Sequence, residues 1–276
     1  MKRLLSIEFD KLKYHKGSRI IIVAYFALLA AIALIAAIKF DIGPVQFHLA
    51  EQGIFNFPYI WHFNSFVAAF LKFFLLLVIV SMTANEYSFK TLKQNLIDGL
   101  SKKEFILSKF YMVVVFAAIS TLFVFIISLI LGLIFSDYNE IGIIFSDLGY
   151  LFVYFLKLVA FFTFGLFLGL LIKKSAYAVG AMLIWFFVET YAYFQITRSV
   201  EGELGEFLVG LFPLQSMWRL IPEPFTRLNA VQSVAKQVGE QLELDYSISF
   251  ISIVVSILWV IIFLLLSLKL LQSRDL

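Results

Sequence analysis

The chain has no cysteine, only three histidines and five prolines in 276 residues. Without a thiol there is no disulfide, no thiolate nucleophile and no cysteine-based metal centre. Charge is scarce as well: Asp, Glu, Lys and Arg together make 15% of the sequence, against about 25% in a globular domain. No G-x-x-x-x-G-K-S/T segment occurs, so the chain has no phosphate-cradling loop of its own. Gly99-Leu100-Ser101 lacks the second glycine of a serine-nucleophile elbow, which argues against an intramembrane hydrolase. There is no internal repeat and no low-complexity tract.

What fills the chain instead is apolar: hydrophobic residues are 62%, aromatic residues 18%, and thirty-three are Phe. This is the composition of an all-α integral membrane protein, with no length left for a soluble catalytic domain. Apolar runs long enough to cross a bilayer, at 1.5 Å per residue over about 30 Å, fall near 20–38, 63–83, 110–135, 149–172, 175–194 and 249–270. Six spans in a single domain, 1–276, are expected. Ahead of them, residues 1–19 carry six Lys or Arg and an apolar face of Leu5, Phe9 and Leu12, which predicts an amphipathic helix lying on the membrane surface. The net charge of +3 says less than its distribution: fifteen Lys and Arg fall on one side of the spans and five on the other. The richer side is read as cytoplasmic, with both termini and the 85–109 loop on it, in a plasma or inner membrane.

The outer loop, about 195–247, is the longest. Its stretch Leu204–Leu220 is apolar but short and interrupted by Pro213, which predicts a re-entrant or interfacial segment with Trp218 and Arg219 at headgroup level. Beyond it, Leu228, Val231, Val234, Val238 and Leu242 recur at helical spacing and predict an amphipathic helix outside the membrane.

The most polar internal stretch is Asn85 to Lys109, NEYSFKTLKQNLIDGLSKKEFILSK. Ser88 is placed to cap a short helix of about ten residues, Gly99 to close it, and Ser101-Lys-Lys-Glu104 to open the next as a capping box. Phe89, Leu92 and Leu96 form a narrow apolar stripe, with Lys90, Lys93 and Gln94 pointing elsewhere. Such a stripe, left exposed, fits a groove on a partner.

Asn85-Glu86, Thr91-Leu92, Leu96-Ile97, Ser101-Lys-Lys-Glu104 and then Lys109, set within six spans, resemble the membrane subunit of an ATP-binding-cassette (ABC) type-2 permease. The chain departs from that pattern at Lys90 and Leu100, where the family often has Gly and Pro. The resemblance implies an exporter subunit that is not itself an enzyme, needs no cofactor and pairs with a second permease copy. ATP and magnesium would sit on a separate cytoplasmic ATPase subunit. It further implies that the short helix couples to that ATPase, with Glu86, Phe89, Thr91, Leu92, Lys93, Leu96, Ser101 and Glu104 as the coupling residues. The partners are then the ATPase, the second copy and the lipid bilayer, with no nucleic acid. A channel or secondary transporter working without ATP, and an assembly or machinery subunit on the same fold, are the competing readings.

Lys72, Lys157 and Glu189 are the ionisable residues well inside the expected spans. A charge there is costly, so these residues either pair around a cavity or snorkel to the headgroups; the sharper expectation is that Glu189 pairs with one of the lysines. Gly165 and Gly169 form a small-xxx-small face, read first as ordinary helix packing. His48, Glu51 and His62 are read as loop residues rather than a metal site.

Overall fold

A computed structural model of the chain describes residues 2–37, 40–42, 45–47, 53–200, 202–238 and 245–274. It begins with α1 (Lys2–Tyr14) and, after a break at His15, α2 (Lys16–Ala37). A short antiparallel hairpin follows, β1 (Phe40–Ile42) with β2 (Val45–Phe47), Phe40 opposite Phe47. The expected all-α class therefore carries one small exception. Next come α3 (Tyr59–Phe70), α4 (Lys72–Ser88), α5 (Thr91–Ile97) and α6 (Lys102–Phe135). α7 (Ile141–Ile144), α8 (Gly149–Ile172) and α9 (Ser175–Ser199) follow, then α10 (Glu203–Gly210), α11 (Pro213–Trp218), α12 (Asn229–Val238) and α13 (Phe250–Gln272).

Among the described residues, five helical stretches are long and apolar enough to cross a membrane, or six if α3 and α4, bent by 47° at Leu71, make one broken span. This is the make-up of a multi-pass membrane protein. The bend contains neither Pro nor Gly. It is a tight turn in which the Leu71 N–H donates to the Ala68 carbonyl and the Phe74 N–H to that of Leu71. α6 has 34 residues, about 51 Å at 1.5 Å each, so it outruns a hydrocarbon core by several turns.

α8 is the axis of the bundle. Apart from Lys157 and Thr163 it is apolar all round, as a helix enclosed by others tends to be, and it packs against α13, α4, α6, α9 and α3. Its glycines set the distance to α4: a Cβ on Gly165 would lie 2.2 Å from Leu76 Cδ1, and one on Gly169 3.3 Å from Thr83 Cβ. The small-residue face is thus an internal seam. Arg274 closes the C-terminal end of α8, donating to the carbonyls of Leu170 (2.7 Å) and Leu171 (3.2 Å), two of the four acceptors a helix end leaves unpaired.

Two amphipathic expectations need correcting in phase. In α1 the buried residues are Leu4, Glu8 and Leu12, while Phe9 is exposed. The helix turns its Glu8 face onto α6, because partners for that carboxylate wait there. In α12 Ala235 is buried and Val234 exposed; Leu242 lies outside the described residues. The segment around Pro213 is two helices, α10 and α11, with the proline at the first position of α11, where its missing N–H costs nothing. α10 packs on α9, and α11 on α13 and α8.

Candidate functional site

The loop between α4 and α6 is a short helix held by its two ends. α4 runs through Ser88, whose hydroxyl donates back to the Ala84 carbonyl (3.3 Å). Ser88 is therefore the end of α4 and not the cap of the next helix. The chain reverses at Lys90 in a left-handed conformation (φ 57°), and α5 covers seven residues rather than ten. Its C-terminal end matches the expectation: Gly99 (φ 92°) donates to the Leu96 carbonyl and Leu100 to that of Asn95, the paired bonds of a Schellman stop. Ser101 and Glu104 form the expected capping box at the start of α6.

Seven residues are too few to hold a helix in water, so α5 depends on what it rests against. Leu92 is 2% exposed and Leu96 packs on the core. The apolar stripe is therefore split. Its two leucines fill a groove in this chain's own bundle, and only Phe89, 68% exposed, faces away. The outward face is completed by Lys93, Gln94 and Ile97, the last 70% exposed.

Beneath α5 lies a buried charge network centred on Glu86. Lys109 Nζ donates to Glu86 Oε1 and to Glu8 Oε2, each at 2.6 Å, with all three side chains 2% exposed. Lys11 Nζ reaches the same Glu86 oxygen at 2.6 Å. The other oxygen, Oε2, accepts from the Thr91 hydroxyl (2.6 Å) and Asn95 Nδ2 (3.3 Å). Ser108 Oγ donates to Glu8 (3.2 Å). Two carboxylates and two ammoniums balance, and Glu86 meets donors only, the set an ionised carboxylate requires. The network ties α1, α4, α5 and α6 into one unit. Removing one partner from a buried pair of this kind costs about 3–5 kcal/mol. By contrast the exposed Arg3–Glu104 pair, at 3.9 Å, adds about 0–1 kcal/mol.

Lys72, Lys157 and Glu189 gather at the far side of the bundle, but not as an ion pair. Glu189 accepts from the indole N–H of Trp185 and from the backbone N–H groups of Leu214 (3.2 Å) and Gln215 (3.0 Å). Its carboxylate is the external cap of α11, whose first N–H groups otherwise lack acceptors. The expected pairing with a lysine is corrected by that bond set. Lys72 (8% exposed) and Lys157 (1%) instead open into one cavity of about 520 Å³. His62 is buried too, stacked on Tyr150 at 4.2 Å and bonded through Nε2 to the Pro222 carbonyl; it is a core residue rather than a loop residue. His48 and Glu51 lie outside the described residues. Among the described residues no three His, Asp or Glu side chains cluster as metal ligands would.

A family model described as "Protein of unknown function (DUF2705)" matches residues 20–276. The chain belongs to the DUF2705 family. No curated protein matches it. The match takes in Glu86, Lys109 and the two cavity lysines, while Glu8 and Lys11 precede it.

Of the residues singled out by sequence in this DUF2705 chain, Glu86, Thr91 and Lys109 converge. Ser101 and Glu104 cap α6, and Leu92 and Leu96 are packing residues. Glu8, Lys11, Asn95 and Ser108 are not among those singled out, and Ile97, which belongs to the quoted motif, is not among the expected coupling residues although it faces outward. One signal for Glu8 was present: Leu4, Glu8 and Leu12 share a face at four-residue steps.

Proposed function

We propose that this chain is the membrane subunit of an ATP-driven exporter of the ABC type-2 permease kind, working beside a second copy and coupled through the α4–α5 turn to a separate ATPase. In this reading α3 and α4 form one broken span, giving six. The end carrying α1, α5 and Arg274 is cytoplasmic, and α10 with α11 forms a re-entrant pair from the other side. ATP and magnesium belong to the partner, and the chain itself turns over no substrate.

The observation that carries the reading is the clamping of α5. An exposed face of Phe89, Lys93 and Ile97 sits on a helix whose inner side is fastened through Thr91, Asn95 and Leu92 to the ends of α4 and α6 and to α1. A force applied to that face is passed directly to the helices that line the bundle, because a buried, fully bonded ion network does not yield locally. An unclamped connector would absorb it.

Purification of the chain from its native membrane in mild detergent should recover, in fixed ratio, a soluble subunit carrying a nucleotide-cradling glycine loop and ATPase activity. Ile97→Asp should leave the protein inserted and lose that subunit, since a carboxylate would be buried unpaired at the contact. Leu92→Asp should fail earlier, at folding, because Leu92 is already interior. An ATPase that stays bound to the Ile97→Asp protein would refute docking on this face. Recovery of no ATPase at all would transfer the case to an ATP-independent transporter.

A further inference from the structure

A buried ammonium needs an opposite charge or a full set of acceptors. Among the described residues, the two that open into the 520 Å³ cavity find neither. Lys72 Nζ lies 4.5 Å from the Phe161 ring centroid and 5.9 Å from that of Phe73. Lys157 Nζ lies 5.3 Å from the Trp218 ring, with the Trp218 carbonyl at 3.4 Å, long for a charged donor. Among the described residues no ion pair reaches either lysine, and Glu189, on the neighbouring helix, is occupied by α11. The ring contacts account for part of the stabilisation of each cation. They do not account for two like charges sharing one chamber.

The rest of the chamber explains what would. Its wall is apolar, and five of its residues, Phe70, Phe73, Leu183, Phe186 and Trp218, are exposed. In a bilayer those positions meet acyl chains, so the cavity is reached from the lipid as well as from its own interior. A chamber of this volume, apolar with two convergent charged groups, has the form of a small-ligand site.

We propose that this cavity binds an amphiphilic anion, its carboxylate or phosphate head between Lys72 and Lys157 and its hydrocarbon body along Phe70, Phe161 and Phe186. Such a ligand neutralises the lysines and fills an apolar space that no described side chain fills. A neutral amphiphile would leave both ammoniums unmet. An inorganic anion would leave the aromatic wall empty. Binding here does not depend on an ATPase at α5. If the exporter reading also holds, amphiphilic anions are its cargo class.

The test is bromine quenching of Trp218 fluorescence, with Trp218→Phe as the reference for the other tryptophans, on the purified chain without any ATPase. Dibromostearate is compared with its methyl ester in micelles, and brominated phosphatidylglycerol with brominated phosphatidylcholine in vesicles. A preference for the anion of about tenfold or more is expected in at least one comparison. Preference for the acid in micelles identifies a free amphiphile, and preference for phosphatidylglycerol in vesicles identifies a lipid headgroup. The Lys72→Met/Lys157→Met protein should bind both members of each pair alike and lose the rise in melting temperature that the anion confers, whereas the double Arg variant should keep the preference. Should the double Met protein fail to fold, each single Met variant must weaken the preference. Equal binding of anion and neutral analogue in both comparisons would overturn the proposal, as would a preference that survives loss of both lysines. Neither result bears on the coupling face.

Discussion

Replacing Lys109 by Met removes the one ammonium that bonds both Glu8 and Glu86, each at 2.6 Å. Methionine matches the alkyl stem, so packing is nearly preserved and the change is electrostatic. The network then holds two carboxylates against Lys11 alone, which bonds Glu86 at 2.6 Å and lies 3.8 Å from Glu8. Glu8 is the orphan. A buried charge stripped of its partner costs about 3–5 kcal/mol, which would lower the melting temperature in detergent by many degrees and loosen α1 from α6. Adding Glu8→Gln to Lys109→Met restores charge balance, one carboxylate to one ammonium, and leaves an amide that still accepts from Ser108. The double variant should therefore melt above the Lys109→Met single variant even though it lacks more native groups, a sign reversal that only coupled sites produce. Melting of these two variants and of Glu8→Gln alone is measured at low and high salt, where buried pairs should respond little. Melting of Lys109→Met within error of the unmodified chain, or additive losses in the double variant, would refute the network as the fastening of α5.

The remaining predictions concern the rest of the bundle. Glu189→Gln should loosen α11 by about 1–3 kcal/mol through weaker acceptance of its backbone donors, and a Lys72→Met or Lys157→Met change should not relieve it; relief by either would restore the ion pair that the hydrogen bonds argue against. Gly165→Ala should destabilise by about 1–3 kcal/mol, since its Cβ would fall 2.2 Å from Leu76 Cδ1; unchanged melting would show that the α4–α8 seam has room. In this cysteine-free background, a cysteine at the exposed Ser233 should react with an impermeant thiol reagent applied outside the cell and one at the exposed Gln94 should not; opposite labelling would invert the proposed orientation.

How much of this was legible depends on how local the cause is. α8 emerges from the sequence with its observed limits, Gly149–Ile172, because an apolar run with a single charge, Lys157, ends at Lys173-Lys174. The capping box and Gly99 were equally readable, since both are set within a few residues. The bend at Leu71 was not: no Pro or Gly marks it, and tertiary packing decides such a turn. Leu92 was misjudged for another reason. An apolar stripe on a short helix says that something covers it, and here the cover is the chain's own bundle. The spacing of Leu4, Glu8 and Leu12 puts Glu8 on the buried face of α1, but the partners of Glu8 and Lys11 lie 101 and 75 residues away, beyond any periodicity.

The same separations give the Glu86 network an order in time. Glu8 leaves the ribosome roughly 5–20 s before Lys109 at ordinary elongation rates. Through that interval, in the proposed six-span arrangement, α2 and the broken span α3–α4 are inserted while Glu8 and Glu86 still lack the lysine they share. The arrival of residue 109 closes a loop of about a hundred residues in one step, and with it α1 ceases to be a free arm. A chain that stalls earlier presents α1 as an undocked charged helix. Cellular proteases that sample such openings would distinguish it from a finished chain by that arm alone.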